Sequence, residues 1–163
     1  MDADRPFLVL LSTLEEGETH REMVGGPKDL DLDPKRLLLE GPVILRGTFY
    51  RRGPRIEVQG TLTGRTTASC DKCLEPVEIR VDTPFRIFAE RRESRDHRPV
   101  EEVREDDVGI VYHDGRFLDL TEEVRQEFLV QIPWHVRCKD DCLGLCPRCG
   151  VDRNRVACDC FTR

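Results

Sequence analysis

The chain has 163 residues, 38% of them hydrophobic and 36% charged, with a formal charge of -6. That length suits one domain, or one domain with a metal-clamped appendage, and the acidic balance disfavours a surface that attracts nucleic acid uniformly. No run of about 18 apolar residues offers a membrane span, and Met1–Phe7 lacks the basic start and apolar stretch of a secretory leader. The expected setting is therefore the reducing cytoplasm, with no membrane partner.

In chain order, Phe7–Leu11 and Glu18–Val24 read as short strands that join a sheet, before Gly25-Gly26-Pro27 breaks the pattern. Three firmer strands follow at Val43–Tyr50, Arg55–Ser69 and Pro76–Glu90. Period-two alternation places Ile56, Val58, Leu62, Thr66 and Ala68 on one face of the second, and Val77, Ile79, Val81, Phe85 and Ile87 on one face of the third. Arg51-Arg52-Gly53-Pro54 suits a short hairpin turn. Gly60 and Gly64 predict bulges or bends that curve the sheet. The expectation is an α+β fold, mainly β: a curved antiparallel meander, open or closed toward a barrel.

Residues 91–107 are charged and poor in apolar side chains, including Glu101, Glu102, Glu105, Asp106 and Asp107, and read as an exposed linker. Ile110–Tyr112 and Arg116–Leu118 flank His113-Asp114-Gly115, where Asp-Gly predicts a hairpin. Leu120, Val124, Phe128 and Ile132 recur every fourth residue and predict one amphipathic helix over Leu120–Ile132, with Asp119 and Glu122 as a capping box and Pro133 as its stop. Residues 1–132 thus form a β-rich core with a helix at its end, and residues 133–163 a cysteine-rich segment packed on that core.

Arginine outnumbers lysine, and two groups, Arg51, Arg52 and Arg55, and Arg86, Arg91, Arg92, Arg95 and Arg98, could contact phosphate. Interleaving with Glu90, Glu93 and Asp96 favours a salt-bridged surface instead.

The chemistry is concentrated in eight cysteines. Cys70-x2-Cys73 lies between the second and third strands, and Cys138, Cys142, Cys146, Cys149, Cys158 and Cys160 close the chain. In a reducing compartment such a set points to thiolate ligands rather than disulfides. Two cysteines two residues apart across a tight turn can aim both sulfurs at one cation, and zinc favours four soft ligands in a tetrahedron. Cys146-Pro147-Arg148-Cys149-Gly150 has the form of a zinc knuckle, its glycine free to take the positive φ that wraps the metal.

The spacing favours two structural zinc ions. Cys146, Cys149, Cys158 and Cys160 form a compact local set, which leaves Cys138 and Cys142 to join the distant Cys70 and Cys73. His135 could replace one sulfur, an iron–sulfur cluster also accepts four cysteines, and Cys70-x2-Cys73 could be a redox pair, although it follows a strand rather than opening a helix. There is no phosphate loop, nucleophile elbow or His-Glu-x-x-His. No catalytic residue and no small-molecule substrate are expected.

Taken together, Ser69-Cys70-Asp71-Lys72-Cys73-Leu74-Glu75-Pro76, Asp119-Leu120-Thr121-Glu122-Glu123-Val124, Ile132-Pro133, the run from Cys138 to Gly150 and the final Cys158-Asp159-Cys160 resemble the bacterial YceD family, named for large-subunit ribosomal RNA accumulation. The resemblance covers Val43 to Cys160 and, more loosely, the N-terminus. It implies a non-enzymatic role in ribosome biogenesis, supporting accumulation or processing of large-subunit (23S) ribosomal RNA. The implied partner is that RNA or its precursor, contacted directly or through a ribosomal protein. An adaptor that binds protein and has no ribosomal role is the alternative, motivated by the net acidity.

Overall fold

The computed structural model describes residues 5–33, 37–91 and 109–161. Among the described residues there are eight strands and one α-helix: β1 Leu8–Leu10, β2 Gly17–Gly25, β3 Leu38–Leu39, β4 Val43–Arg52, β5 Arg55–Ser69, β6 Pro76–Arg91, β7 Ile110–His113, β8 Phe117–Asp119 and the helix α1 Thr121–Val130. Six strands make one sheet in the order β2-β4-β5-β6-β7, with β3 against β5. The sheet is open: it does not close into a barrel, and β2 and β7 are its two ends.

The three central strands run as the alternation predicts. β5 turns Ile56, Val58, Leu62 and Thr66 into the interior, where each is nearly or fully buried, and β6 adds Val81, Phe85 and Ala89. Directly paired residues share a face, so Ile56 meets Ala89, Val58 meets Ile87 and Leu62 meets Thr83. Gly53 takes a φ of +60° beside Pro54 in the two-residue turn between β4 and β5, whose last pair is Arg52 with Arg55.

Gly60 and Gly64 do not bulge the strand. The β5–β6 register runs without interruption from Arg55 against Glu90 to Ser69 against Pro76. Both glycines serve close approach instead. A Cβ on Gly60 would lie 2.1 Å from the Arg46 carbonyl oxygen, and one on Gly64 would lie 2.7 Å from Phe128 Cε2. The helix therefore sits on bare backbone at Gly64, with Val124 and Phe128 buried beneath it.

Two other expectations are corrected. Phe7–Leu11 does not join the main sheet: β1 pairs with β8 in a separate two-stranded sheet, Leu8 opposite Asp119. Nor do the segments flanking His113-Asp114-Gly115 pair with each other. β7 lies parallel to β6, Phe88 opposite Ile110, while β8 leaves for β1. The Asp-Gly turn is present, with Asp114 Oδ1 accepting the N–H groups of Arg116 and Phe117. It redirects the chain between two sheets. A parallel return needs a crossover of about a dozen residues or more, and the stretch from 92 to 109 is long enough to supply it.

His113 locks β7 in place. Its Nε2 donates to the Pro54 carbonyl at 3.1 Å while Nδ1 accepts the Gly115 N–H, which fixes the tautomer.

The helix is shorter than predicted, and its start differs. Asp119 Oδ1 accepts the Thr121 N–H and hydroxyl, whereas Glu122 turns outward to Arg125 and Gln126. Asp119 thus caps from one residue farther out, and no reciprocal box forms. The 92–107 part of the expected linker lies outside the described residues.

The β5–β6 hairpin is the longest feature of the fold, and its tip, Cys70–Glu75, projects beyond the main core. There a second apolar cluster forms around Cys70, Cys73 and Cys142, backed by Val77, Cys138 and Leu145. The chain leaves α1 and reaches this tip through residues 131–137. It docks where the Asp71 N–H donates to the Val136 carbonyl at 2.8 Å and Asp71 Oδ2 accepts the Val136 N–H at 3.1 Å.

Candidate metal centres

Two backbone turns of the same design present the cysteines. In Cys70–Leu74 the Leu74 N–H donates to the Cys70 carbonyl at 2.9 Å, and in Cys146–Gly150 the Gly150 N–H donates to the Cys146 carbonyl at 2.8 Å. The residue after the second cysteine is left-handed in both: φ is +64° at Leu74 and +74° at Gly150. Gly150 takes this conformation freely, whereas Leu74 holds it against the contact between its Cβ and the following carbonyl.

These turns bring the eight cysteines into two groups of four. Cys70, Cys73, Cys138 and Cys142 form the first, and Cys146, Cys149, Cys158 and Cys160 the terminal one; within each, the sulfurs lie within 4.8 Å of one another. The sulfurs are 3.9 Å apart for Cys70–Cys142, 3.5 Å for Cys73–Cys138, 3.4 Å for Cys149–Cys158 and 3.3 Å for Cys146–Cys158. A disulfide would need about 2.05 Å, and all eight thiols are free. Tetrahedral zinc with bonds of about 2.3 Å sets its sulfurs about 3.8 Å apart, so each group could hold such an ion with a small adjustment.

The grouping matches the division that the spacing favoured. His135 is in neither set: its Nδ1 faces Asp71 Oδ2 at 3.3 Å on the exposed side of the turn.

The electrostatics prepare one sulfur in each group. Backbone N–H groups of Cys73 and then Lys72 point at the Cys70 sulfur and bring its thiol down to about 6. The N–H groups of Cys149 and Arg148 do the same for Cys146, also to about 6. Within the crowded set the last thiol resists ionisation: burial and then the neighbouring sulfurs push Cys138 up to about 12, and the Cys158 and Cys149 sulfurs push Cys160 up to about 12. Four sulfurs this close do not all ionise on their own. A dication stabilises all four thiolates at once, which couples metal uptake to proton release.

The two groups differ in shelter. Cys70, Cys73 and Cys142 are buried, and the first group ties the hairpin tip to a segment more than sixty residues away in sequence. In the terminal group Cys149 is exposed and Cys158 and Cys160 are half-buried.

Two residues escaped the sequence reading. Leu74 occupies the position where the second knuckle has glycine, a comparison that could have exposed it. Asn154 lies in the spacer between Cys149 and Cys158, and its Nδ2 is 3.4 Å from Cys142 Sγ in the other group; no spacing rule points to it.

Three of the candidate phosphate-binding arginines are engaged within the fold. Arg51 reaches back to the Leu11 and Leu14 carbonyls at 2.8 and 3.0 Å, Arg55 pairs with Glu90, and Arg86 pairs with Glu57 and stacks on Phe88. Arg92, Arg95 and Arg98 lie outside the described residues. Among the described residues no helix is long and apolar enough to cross a membrane.

Comparison with known proteins agrees with the motif order. The uncharacterized protein Rv2926c of Mycobacterium tuberculosis is 32% identical over 126 residues, a match that covers 72% of this chain and 58% of that protein. The uncharacterized protein YlbN of Bacillus subtilis is 26% identical over 124 residues, covering 76% of this chain and 66% of that protein. The chain thus spans a little over half the length of the Mycobacterium tuberculosis relative. No solved structure matches it. The family model for the large ribosomal RNA subunit accumulation protein YceD matches residues 58–162, from within β5 through both cysteine groups, and the chain belongs to the YceD family.

Proposed function

We propose that this chain is a non-enzymatic, cytoplasmic factor in ribosome biogenesis, built on two structural zinc ions, that supports accumulation of large-subunit (23S) ribosomal RNA. Family membership supplies the ribosomal part. The observation that carries the zinc part is the gathering of all eight cysteines into two four-sulfur groups. A catalytic zinc site keeps a position open for water, usually among His and carboxylate ligands; four sulfurs fill the coordination shell and favour a structural ion. In this reading the first ion pins residues 133–163 to the 1–132 core, and the terminal ion closes the end of the chain.

The surface bears on how the factor meets its target. Along the outer face of the main sheet Arg46 pairs with Glu22, Arg55 with Glu90, Arg80 with Glu78 and Arg86 with Glu57. Phosphate would have to displace these carboxylates, so the charge pattern supports action through a large-subunit ribosomal protein over broad coating of RNA. Fractionation of tagged protein, combined with in-cell crosslinking and sequencing of bound RNA, tests both points. Co-sedimentation with large-subunit precursors and sparse RNA crosslinks are expected. Absence from every precursor fraction, with normal ribosomal RNA in a deletion strain, would overturn the ribosomal assignment; dense crosslinks to 23S RNA would overturn only the indirect route.

A further inference from the structure

Asn154 belongs by sequence to the loop that the terminal group closes, yet its side chain serves the first group. Oδ1 accepts the Leu143 N–H at 2.9 Å, while Nδ2 faces Cys142 Sγ at 3.4 Å and Asp152 Oδ1 at 2.7 Å. Because Oδ1 is taken by an N–H donor, the amide hydrogens must lie toward the sulfur and the carboxylate, so the network fixes the amide orientation. Its backbone is held as well, the Asn154 N–H donating to Asp152 Oδ1 at 2.9 Å.

The rest of the loop is seated on the segment between the two groups. Cys146 N–H donates to the Val151 carbonyl, Arg153 N–H to the Gly144 carbonyl, and Leu145 bridges to Asp152. Arg155 continues the contact to Glu75 at the hairpin tip, at 2.6 Å.

We infer that Asn154 links the two cysteine groups, so that metal in the terminal group tightens metal binding by the first. The inference rests on the proposal that both groups hold metal. Cys149 and Cys158 are the ends of the loop and members of the terminal group, so an ion there closes the loop and removes the freedom that Asn154 would otherwise regain. Held in place, its amide N–H donates to a sulfur of a site where four thiolates surround one dication, and such a donor eases the excess negative charge. Loss of a hydrogen-bond partner of a metal ligand commonly costs 10–100-fold in affinity. Linkage is reciprocal, so the first ion favours the terminal one by the same factor.

The test titrates the full-length apo chain with cobalt(II), then with zinc against a chelating dye, after metal analysis of the protein as purified. Cys70→Ser and Cys158→Ser assign the two binding steps. Asn154→Ala is expected to keep two ions per chain and a native far-UV spectrum while weakening the first site about 10–100-fold. Cys149→Ser with Cys158→Ser is expected to weaken the first site similarly, and Asn154→Ala to add little in that background. Should Asn154→Ala misfold, Asn154→Asp keeps the acceptor for Leu143 and deletes the donor to sulfur, and the first site should again weaken. First-site affinity within about twofold of wild type in the folded Asn154 variant, or effects of loop opening and Asn154 removal that multiply in full, would overturn the linkage. Two ions bound independently would overturn this inference alone; metal in neither group would overturn the zinc reading as well.

Discussion

Gly64 and Phe128 provide a quantitative test of how the helix is seated. Phe128 is fully buried, and its ring lies where a Cβ on Gly64 would stand, 2.7 Å from Cε2. Phe128→Ala should cost about 3–5 kcal/mol, toward the upper end because one wall of the resulting cavity is the backbone of β5, which cannot collapse inward. Gly64→Ala should cost about 1–3 kcal/mol by overpacking, offset in part by about 0.4–1 kcal/mol from the stiffer unfolded chain.

In the double variant the added methyl no longer meets the ring, so the combined loss should fall short of the sum by about 1–3 kcal/mol. Urea unfolding in zinc-containing buffer, followed by far-UV circular dichroism, measures all four corners of the cycle. Trp134 is 99% exposed and makes a poor fluorescence reporter. Single losses that add to within about 0.5 kcal/mol would show that the ring does not rest on Gly64.

Three further outcomes follow from the cysteine groups. Cys70→Ser should release the 133–142 segment as well as the hairpin tip, giving new cleavage there in limited proteolysis, whereas Cys158→Ser should mainly loosen the end of the chain; identical patterns would mean that the two groups act as one unit. Leu74→Gly should stabilise the chain by about 0.5–1 kcal/mol in thermal unfolding, since relief of a strain of about 1–2 kcal/mol exceeds the added chain entropy; destabilisation would show that the exposed leucine side chain makes a contact worth more than its strain. Acid should release the metal. With Cys70 and Cys146 already ionised above about 6, uptake at neutral pH displaces up to about three protons per site, and below about 6 it must displace a fourth. Affinity therefore falls as pH falls, more steeply below about 6, and a pH-independent affinity between pH 5 and 8 would contradict thiolate ligation.

Where local pattern and burial agree, the sequence is legible. β5 alternates over its whole length between the Gly53-Pro54 turn and the Cys70 knuckle, and both of its ends can be read directly. The division of the cysteines is also legible, because the short Cys146–Cys160 span leaves the other four without local partners.

Long-range choices are less visible. Asp114-Gly115 carries a genuine turn signal, but whether β7 and β8 pair with each other depends on β6 and β1, which take them as partners from elsewhere in the chain. A glycine inside a strand reads alike whether it bulges or admits a neighbour, and only the approach of the Arg46 carbonyl and the Phe128 ring separates the two. Asn154 is invisible for the same reason: its role depends on where a spacer loop lands, not on any periodicity.

Metal analysis of the full-length protein, purified without chelator and paired with a count of reactive thiols, tests the central claim most directly. The account predicts two zinc ions per chain and thiols that stay unreactive until a chelator is added. A metal-free, folded chain with all eight thiols freely reactive would contradict it.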